Sequence, residues 1–319
     1  MNDVENTYSL TPAKTHRYDV RLLYEKKTNK GERTTTSELS PIIFRGVKRT
    51  MAASTTLRDT LERPADRPPI ITITGDAGIG KTTLAALFPN PVFIRTEDGV
   101  ESIPADHRPF SFPVAKTFDD VLSQLRLVYK HKREFATVVI DSVTRLASII
   151  ESELVKSDPR KPKSINQAFG GYGAGLQAAA ERHRVIQRAC VQLNEIGLAV
   201  VFVAHSMVEN VEPPDSDPYI RATLRLDKRA AACYIDDVDA VAFVKLKTRI
   251  ITKENAKRSR MRSDGTRVIV LTPTGAHVAK NRYGIEDPIE WGDSTVNPLL
   301  PLIPFYAKQG QLKRRRDTV

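Results

Sequence analysis

Gly75, Gly80, Lys81 and Thr82 fill every fixed position of G-x-x-x-x-G-K-[ST] in the run Gly75-Asp76-Ala77-Gly78-Ile79-Gly80-Lys81-Thr82, and Thr83 follows directly. The β-branched run Ile70-Ile71-Thr72-Ile73-Thr74 precedes the motif, and a helix-like segment from Thr83 to Phe88 continues it. Strand, Gly-rich loop and helix in that order are the setting a phosphate-binding loop requires; a chance glycine turn would lack those flanks. Glycines let backbone N–H groups turn inward around phosphate oxygens, and the helix N-terminus adds partial positive charge. Lys81 is expected to reach the β- and γ-phosphates and the Thr82 hydroxyl to ligate Mg²⁺. The stretch Gly75–Thr83 therefore implies a site for a nucleoside triphosphate, ATP with Mg²⁺.

Hydrolysis would need three further groups. A second acidic position must hold the metal, and Asp141 fits it at the end of the apolar run Thr137-Val138-Val139-Ile140. A base must polarise water. The residue after Asp141 is Ser142, so the base lies elsewhere. Glu97, just past the strand-like Pro91-Val92-Phe93-Ile94-Arg95-Thr96, is the candidate, with Asp98 as the fallback. Carboxylates at the C-terminal ends of parallel strands face the ligand crevice. His205 follows the apolar run Leu198 to Ala204 and would stand at the same edge, where it can bond the γ-phosphate and relay its loss.

The elements that must position these residues alternate. After the first loop and helix come a strand at Pro91–Thr96 and a helix with apolar spacing at Phe118, Val121, Leu122, Leu125 and Val128. A buried strand at Ala136–Asp141 and a helix at Ser142–Leu154 follow, then a Pro/Lys/Gly-rich loop over Ser157–Gly175. A long helix, Leu176–Glu195, stopped by Gly197, leads to the strand at Leu198–Ala204. Continuous apolar runs joined by helices predict an α/β fold, a mostly parallel central sheet flanked by helices. Met207–Thr223 is rich in Pro, Asp and Glu and reads as a mobile loop. Val238–Ile251 and Arg267–Thr272 read as strands joined by a turn at Ser263–Thr266, with a short strand at His277–Arg282. These would add antiparallel strands at one edge.

Residues 1–62 are polar and without sustained apolar period, and are expected to form a largely disordered extension with a short strand at Pro41–Phe44. Met51, followed by Ala52-Ala53-Ser54, reads as an alternative start. The domain proper is expected over 63–310, followed by a basic tail over 311–319. At 319 residues and 40% hydrophobic content the chain can bury a sizeable core. No apolar run approaches the ~18 residues of a membrane helix, and no secretory signal opens the chain. Cys190 and Cys233 have no metal-ligand spacing, so a cytoplasmic, reducing setting is expected.

The net charge of +11 is concentrated: Lys245 to Arg262 holds eight basic residues against Glu254 alone, and Lys313-Arg314-Arg315-Arg316 closes the chain. Such clusters are either solvated surface or contacts for nucleic-acid phosphates.

Gly75–Thr82, Glu97 after the second strand, Ile140-Asp141-Ser142 and Ala204-His205-Ser206 together resemble a RecA-type ATPase. They are most similar to phage ATP-binding proteins of the Sak-type single-strand annealing group. Lys280-Asn281-Arg282-Tyr283-Gly284 is similar to the Lys-Asn-Arg-Phe-Gly motif of RadA-like proteins. The resemblance covers about residues 68–290 and implies a RecA-like P-loop NTPase that binds single-stranded DNA. Phage-type recombination, annealing or replication is the implied setting, alongside single-strand binding or replication proteins. It also implies a homo-oligomer, ring or filament, in which Lys280 and Arg282 reach the neighbouring subunit's γ-phosphate. By position its two DNA-binding loops would be Ser157–Gly175, with Arg160, Lys161, Lys163, Phe169 and Tyr172, and Met207–Thr223, through Tyr219 and Arg221. A nucleotide or small-molecule kinase, and a nucleotide-switched scaffold or loader, remain the alternatives.

Overall fold

The computed structural model describes residues 61, 65–251 and 260–308, with the side chains of 249–262 left aside. The expected extension over 1–62 (residue 61 excepted), its strand at 41–44 and the tail over 311–319 lie outside the described residues. The first strand, β1 (Ile70–Gly75), is buried along its whole length. It runs into the phosphate-loop motif and the short helix α1 (Lys81–Ala86). Next come β2 (Pro91–Arg95), the two-residue β3 (Phe110–Ser111) and α2 (Phe118–Lys130). The α2 helix buries Val121, Leu122, Leu125 and Val128, the apolar period read from the sequence. A capping box of Thr117 and Asp120 starts it.

The fully buried β4 (Thr137–Asp141) precedes α3 (Val143–Ser157). A 3₁₀ segment at Ile165–Gly170 leads to α4 (Ala174–Glu195). Gly197, at φ 104°, ends α4 because a left-handed residue there is strain-free without a Cβ. The chain then forms β5 (Ala199–Val211), β6 (Tyr219–Leu224), α5 (Lys228–Ile235), β7 (Ala240–Ile251), β8 (Arg260–Val270), β9 (Lys280–Asn281) and β10 (Ile289–Trp291).

Among the described residues one sheet runs β10-β8-β7-β1-β5-β4-β2-β3, with β6 paired to β5 and β9 to β7. The pairs β7–β1, β1–β5, β5–β4, β4–β2 and β2–β3 are parallel. Strands β8, β9 and β10 add antiparallel at the β7 edge. This is the expected α/β architecture, a mostly parallel sheet with antiparallel strands at one edge, in which β1 and β4 are buried along their whole length. Among the described residues no helix is long and apolar enough to cross a membrane.

Three expectations for the final third are corrected. Met207–Thr223 is not a loop along its whole length: β5 continues to Val211 and pairs with β6 from Ser206↔Leu224 to Val211↔Tyr219. The Pro- and Asp-rich composition belongs only to the turn, and the Arg221–Glu209 ion pair at 2.7 Å ties the strands across. Ser263–Thr266 does not turn the chain either. It lies inside β8 as an irregularity, where pairing jumps from Leu246↔Arg267 to Thr248↔Ser263. Gly265 at φ 86° supplies the conformation such a bulge needs. The strand expected at His277–Arg282 shrinks to β9.

Candidate active site

The strand register aligns the chemistry. Gly75 at the end of β1 is level with His205 on β5, Asp141 on β4 is level with Val203, and Arg95 on β2 with Asp141. The expected site residues Lys81, Thr82, Glu97, Asp141 and His205 therefore gather at one edge, the C-terminal ends of parallel strands.

The loop is built for close approach. Gly75 sits at φ 151°, and a Cβ there would lie 2.3 Å from the Val244 carbonyl oxygen. Gly80 is left-handed at φ 99°, against the ring of Trp291, which lies 3.3 Å from where its Cβ would be. Ile79 anchors the loop in the core beside Trp291, while Asp76, Ala77 and Gly78 are exposed. Lys81 is only 6% exposed, and its Nζ donates to the Gly75 and Asp76 carbonyls at 3.0 and 2.7 Å. Burial pulls the ammonium's pKa down, against the attraction of Asp141, Glu97 and Asp76. A buried ammonium held only by carbonyl oxygens fits an anion-binding cradle.

Thr82 Oγ1 donates to Asp141 Oδ2 at 2.7 Å. Burial pushes the Asp141 carboxyl up to about 6, beyond what the Thr82 hydrogen bond and the Lys81 charge offset. Thr82 and Asp141 are hard oxygen donors and fit Mg²⁺. Ionising Asp141 without a metal costs the folded protein on the order of 3 kcal/mol, from the difference between about 6 and 3.8. The sign follows: a raised carboxyl pKa leaves stability intact at low pH and removes it as pH rises through about 6. Asp141→Asn is accordingly expected to melt higher than the parent protein at pH 8 without nucleotide. The gap should close near pH 4, and Mg²⁺-dependent ATP binding should be lost. Thermal melts across pH check this; a variant no more stable at pH 8 would contradict the burial cost.

His205 Nε2 lies 3.2 Å from Glu97 Oε1. That hydrogen bond holds the Glu97 carboxyl below the usual carboxylate range, with help from Ser142 and against the effect of burial. Asp98 is exposed beside it. Sequence reasoning missed the residues that fix this pair. Thr96 N donates to the Asp141 carbonyl at 2.8 Å, and Ser142 N donates to Thr96 Oγ1 at 2.9 Å, locking β2 to β4. The Asp141–Ser142 peptide bond is cis. His205 N donates to Thr144 Oγ1 at 2.9 Å, and Ser206 Oγ donates to Asp76 Oδ1 at 2.6 Å, tying β5 to α3 and to the loop. A Thr ahead of Glu97 and a Ser after Asp141 were visible, but their pairing is between strands and had no local signature.

Lys280 and Arg282 are not brought to this edge. Asn281 pairs with Ala240, which is level with Ile71, so the pair sits about 13 Å down the strands from Gly75 at ~3.3 Å per residue. Lys280 Nζ donates to the Ile235 carbonyl at 3.1 Å, and Arg282 Nη1 is 3.2 Å from Asp239 Oδ1. Glu286, four residues on in the sequence, is not the acid that Arg282 meets.

A buried lysine in a glycine cradle, a Thr–Asp pair for metal and a carboxylate–histidine pair beyond it define a P-loop ATPase by class. Residues 67–283 match the family described as AAA domain, and the chain belongs to that family. Comparison with curated proteins returns no match. Among solved structures it is similar to a KaiC-like protein from the hyperthermophilic archaeon Pyrococcus horikoshii OT3. The identity is 12% and the TM-score 0.36, over 72% of this chain and 88% of that one.

Proposed function

We propose that this protein hydrolyses ATP and couples hydrolysis to single-stranded DNA in phage-type recombination, annealing or replication. The observation that carries the catalytic part is the Glu97–His205 pair, 3.2 Å apart at the strand edge that holds Lys81. With ATP in the cradle, Lys81 would exchange loop carbonyls for phosphate oxygens, which its charge favours. Thr82 and Asp141 would hold Mg²⁺, which when bound neutralises phosphate charge. Glu97, ionised at neutral pH, accepts a proton from water as the water oxygen bonds the γ-phosphorus. The bond from that phosphorus to the β–γ bridging oxygen breaks, and ADP leaves with the bond electrons. His205 reports the change, because β5 runs without interruption from it into the β5–β6 hairpin.

For DNA, Ser157–Gly175 offers Lys161, Lys163, Phe169 and a fully exposed Tyr172. Arg160 and Arg221 are committed to the Asp158 and Glu209 carboxylates, so phosphate contact falls to the lysines and to the basic residues of the Lys245–Arg262 stretch. Neutralising Arg258, Arg260 and Arg262 together is expected to lower the slope of log affinity against log salt by about two, at ~0.7 per contact. Fluorescence anisotropy with a labelled oligonucleotide measures it; an unchanged slope would mean that these arginines only meet solvent.

Lys280 and Arg282 are proposed to act on the neighbouring subunit. Their distance from their own loop supports this, since a head-to-tail ring or filament is what would bring them to a phosphate. Mixing Arg282→Ala with Lys81→Ala subunits should then recover part of the lost turnover. If mixed oligomers form and every ratio stays inactive, the trans assignment fails.

A further inference from the structure

The β5–β6 hairpin returns directly beside the histidine: Arg225, the residue after β6, donates its N–H to the His205 carbonyl at 2.8 Å. Its exposed side chain lines a cavity of about 700 Å³ with Glu97, Thr144 and His205. Among the described residues the Arg225 guanidinium has no acidic partner. Asp227, two residues on, caps α5 through Arg229 N and pairs with the Arg229 side chain. The Arg225 charge is also felt at Lys81, where it opposes protonation of the ammonium. Arg145, in the first turn of α3, lines the same cavity. Arg225 thus presents a cation without an acidic partner to the cavity that Glu97 and His205 line, and an anion held there would satisfy it.

We propose that Arg225 is a catalytic residue in cis, its guanidinium engaging the terminal phosphate of ATP bound to the same chain. The inference rests on the ATP-hydrolysis reading and adds a group to it. A planar fork can bond two phosphate oxygens at once and oppose the charge that spreads over them as the γ-phosphorus departs. Lys81 meets the phosphates from the loop side, and Arg225 meets them from the cavity that holds Glu97. Because Arg225 and His205 share a backbone hydrogen bond, a ligand that shifts the hairpin moves both groups against the phosphate.

The test is steady-state phosphate release by Arg225→Ala and Arg225→Lys, with binding of a fluorescent ATP analogue and thermal melts alongside. The expected result is a fall in turnover of about 10²-fold or more for Arg225→Ala, with analogue affinity changed by less than about tenfold. Arg225→Lys should recover only part of the loss, because an ammonium lacks the fork. Mixtures of Arg225→Ala with Lys81→Ala subunits should stay inactive at every ratio, since both changes disable a chain's own site. Wild-type turnover in Arg225→Ala would make the side chain mere hairpin surface. Recovery of turnover in the mixtures would place Arg225 at the neighbour's site instead and overturn the cis assignment. A wild-type protein that binds the analogue yet releases no phosphate would sink the hydrolysis reading itself.

Discussion

Lys81→Ala is expected to release no phosphate above background, a loss of at least about 10³-fold, the upper range for removing one charged stabiliser of a transition state. The size follows from placement. The ammonium is buried, lies within the loop, and is held by the Gly75 and Asp76 carbonyls rather than by an acid. Its full charge is therefore available to phosphate oxygens in a site where water screens little. Phosphate release in a coupled assay measures it. Residual turnover within tenfold of wild type would mean that the glycine cradle is not where hydrolysis occurs.

Glu97→Gln is expected to keep ATP binding and lose about 10²-fold or more in turnover, the scale of general-base removal. Gln preserves the shape and can still meet His205 and Ser142, but it cannot take the proton from water. The depressed pKa of Glu97, set chiefly by the His205 hydrogen bond, keeps it ionised and ready at neutral pH. Separate measurement of binding and single-turnover hydrolysis divides the two effects. Turnover near wild type would move the base to Asp98, the exposed neighbour.

The parallel half of the fold was legible because its signals are local. Gly75–Thr82 carries its own loop geometry, and β1, β4 and the first half of β5 are runs of buried β-branched and apolar residues. Placing Glu97, Asp141 and His205 needed only the rule that strand ends face the crevice; the register puts Asp141 level with Arg95 and Val203, with Glu97 and His205 each two residues further along. The hairpin of β5 and β6 was not legible. Its pairing, Val208↔Ala222 and Glu209↔Arg221, is between strands, and the acidic turn dominates the local composition. The β8 bulge failed for a similar reason, since Ser263-Asp264-Gly265-Thr266 has turn chemistry wherever it is placed. Arg225 was invisible for want of any motif; only the closure of the hairpin sets it beside His205 and the cavity.

The most direct test of ATP hydrolysis coupled to DNA is phosphate release by the full chain with Mg²⁺, measured with and without single-stranded DNA. Water-dependent release that rises when the oligonucleotide is added is the predicted result. Transfer of the γ-phosphate to a nucleotide acceptor would make it a kinase. Tight ATP binding with no turnover in either condition would leave a nucleotide-switched scaffold, and either outcome would contradict the account.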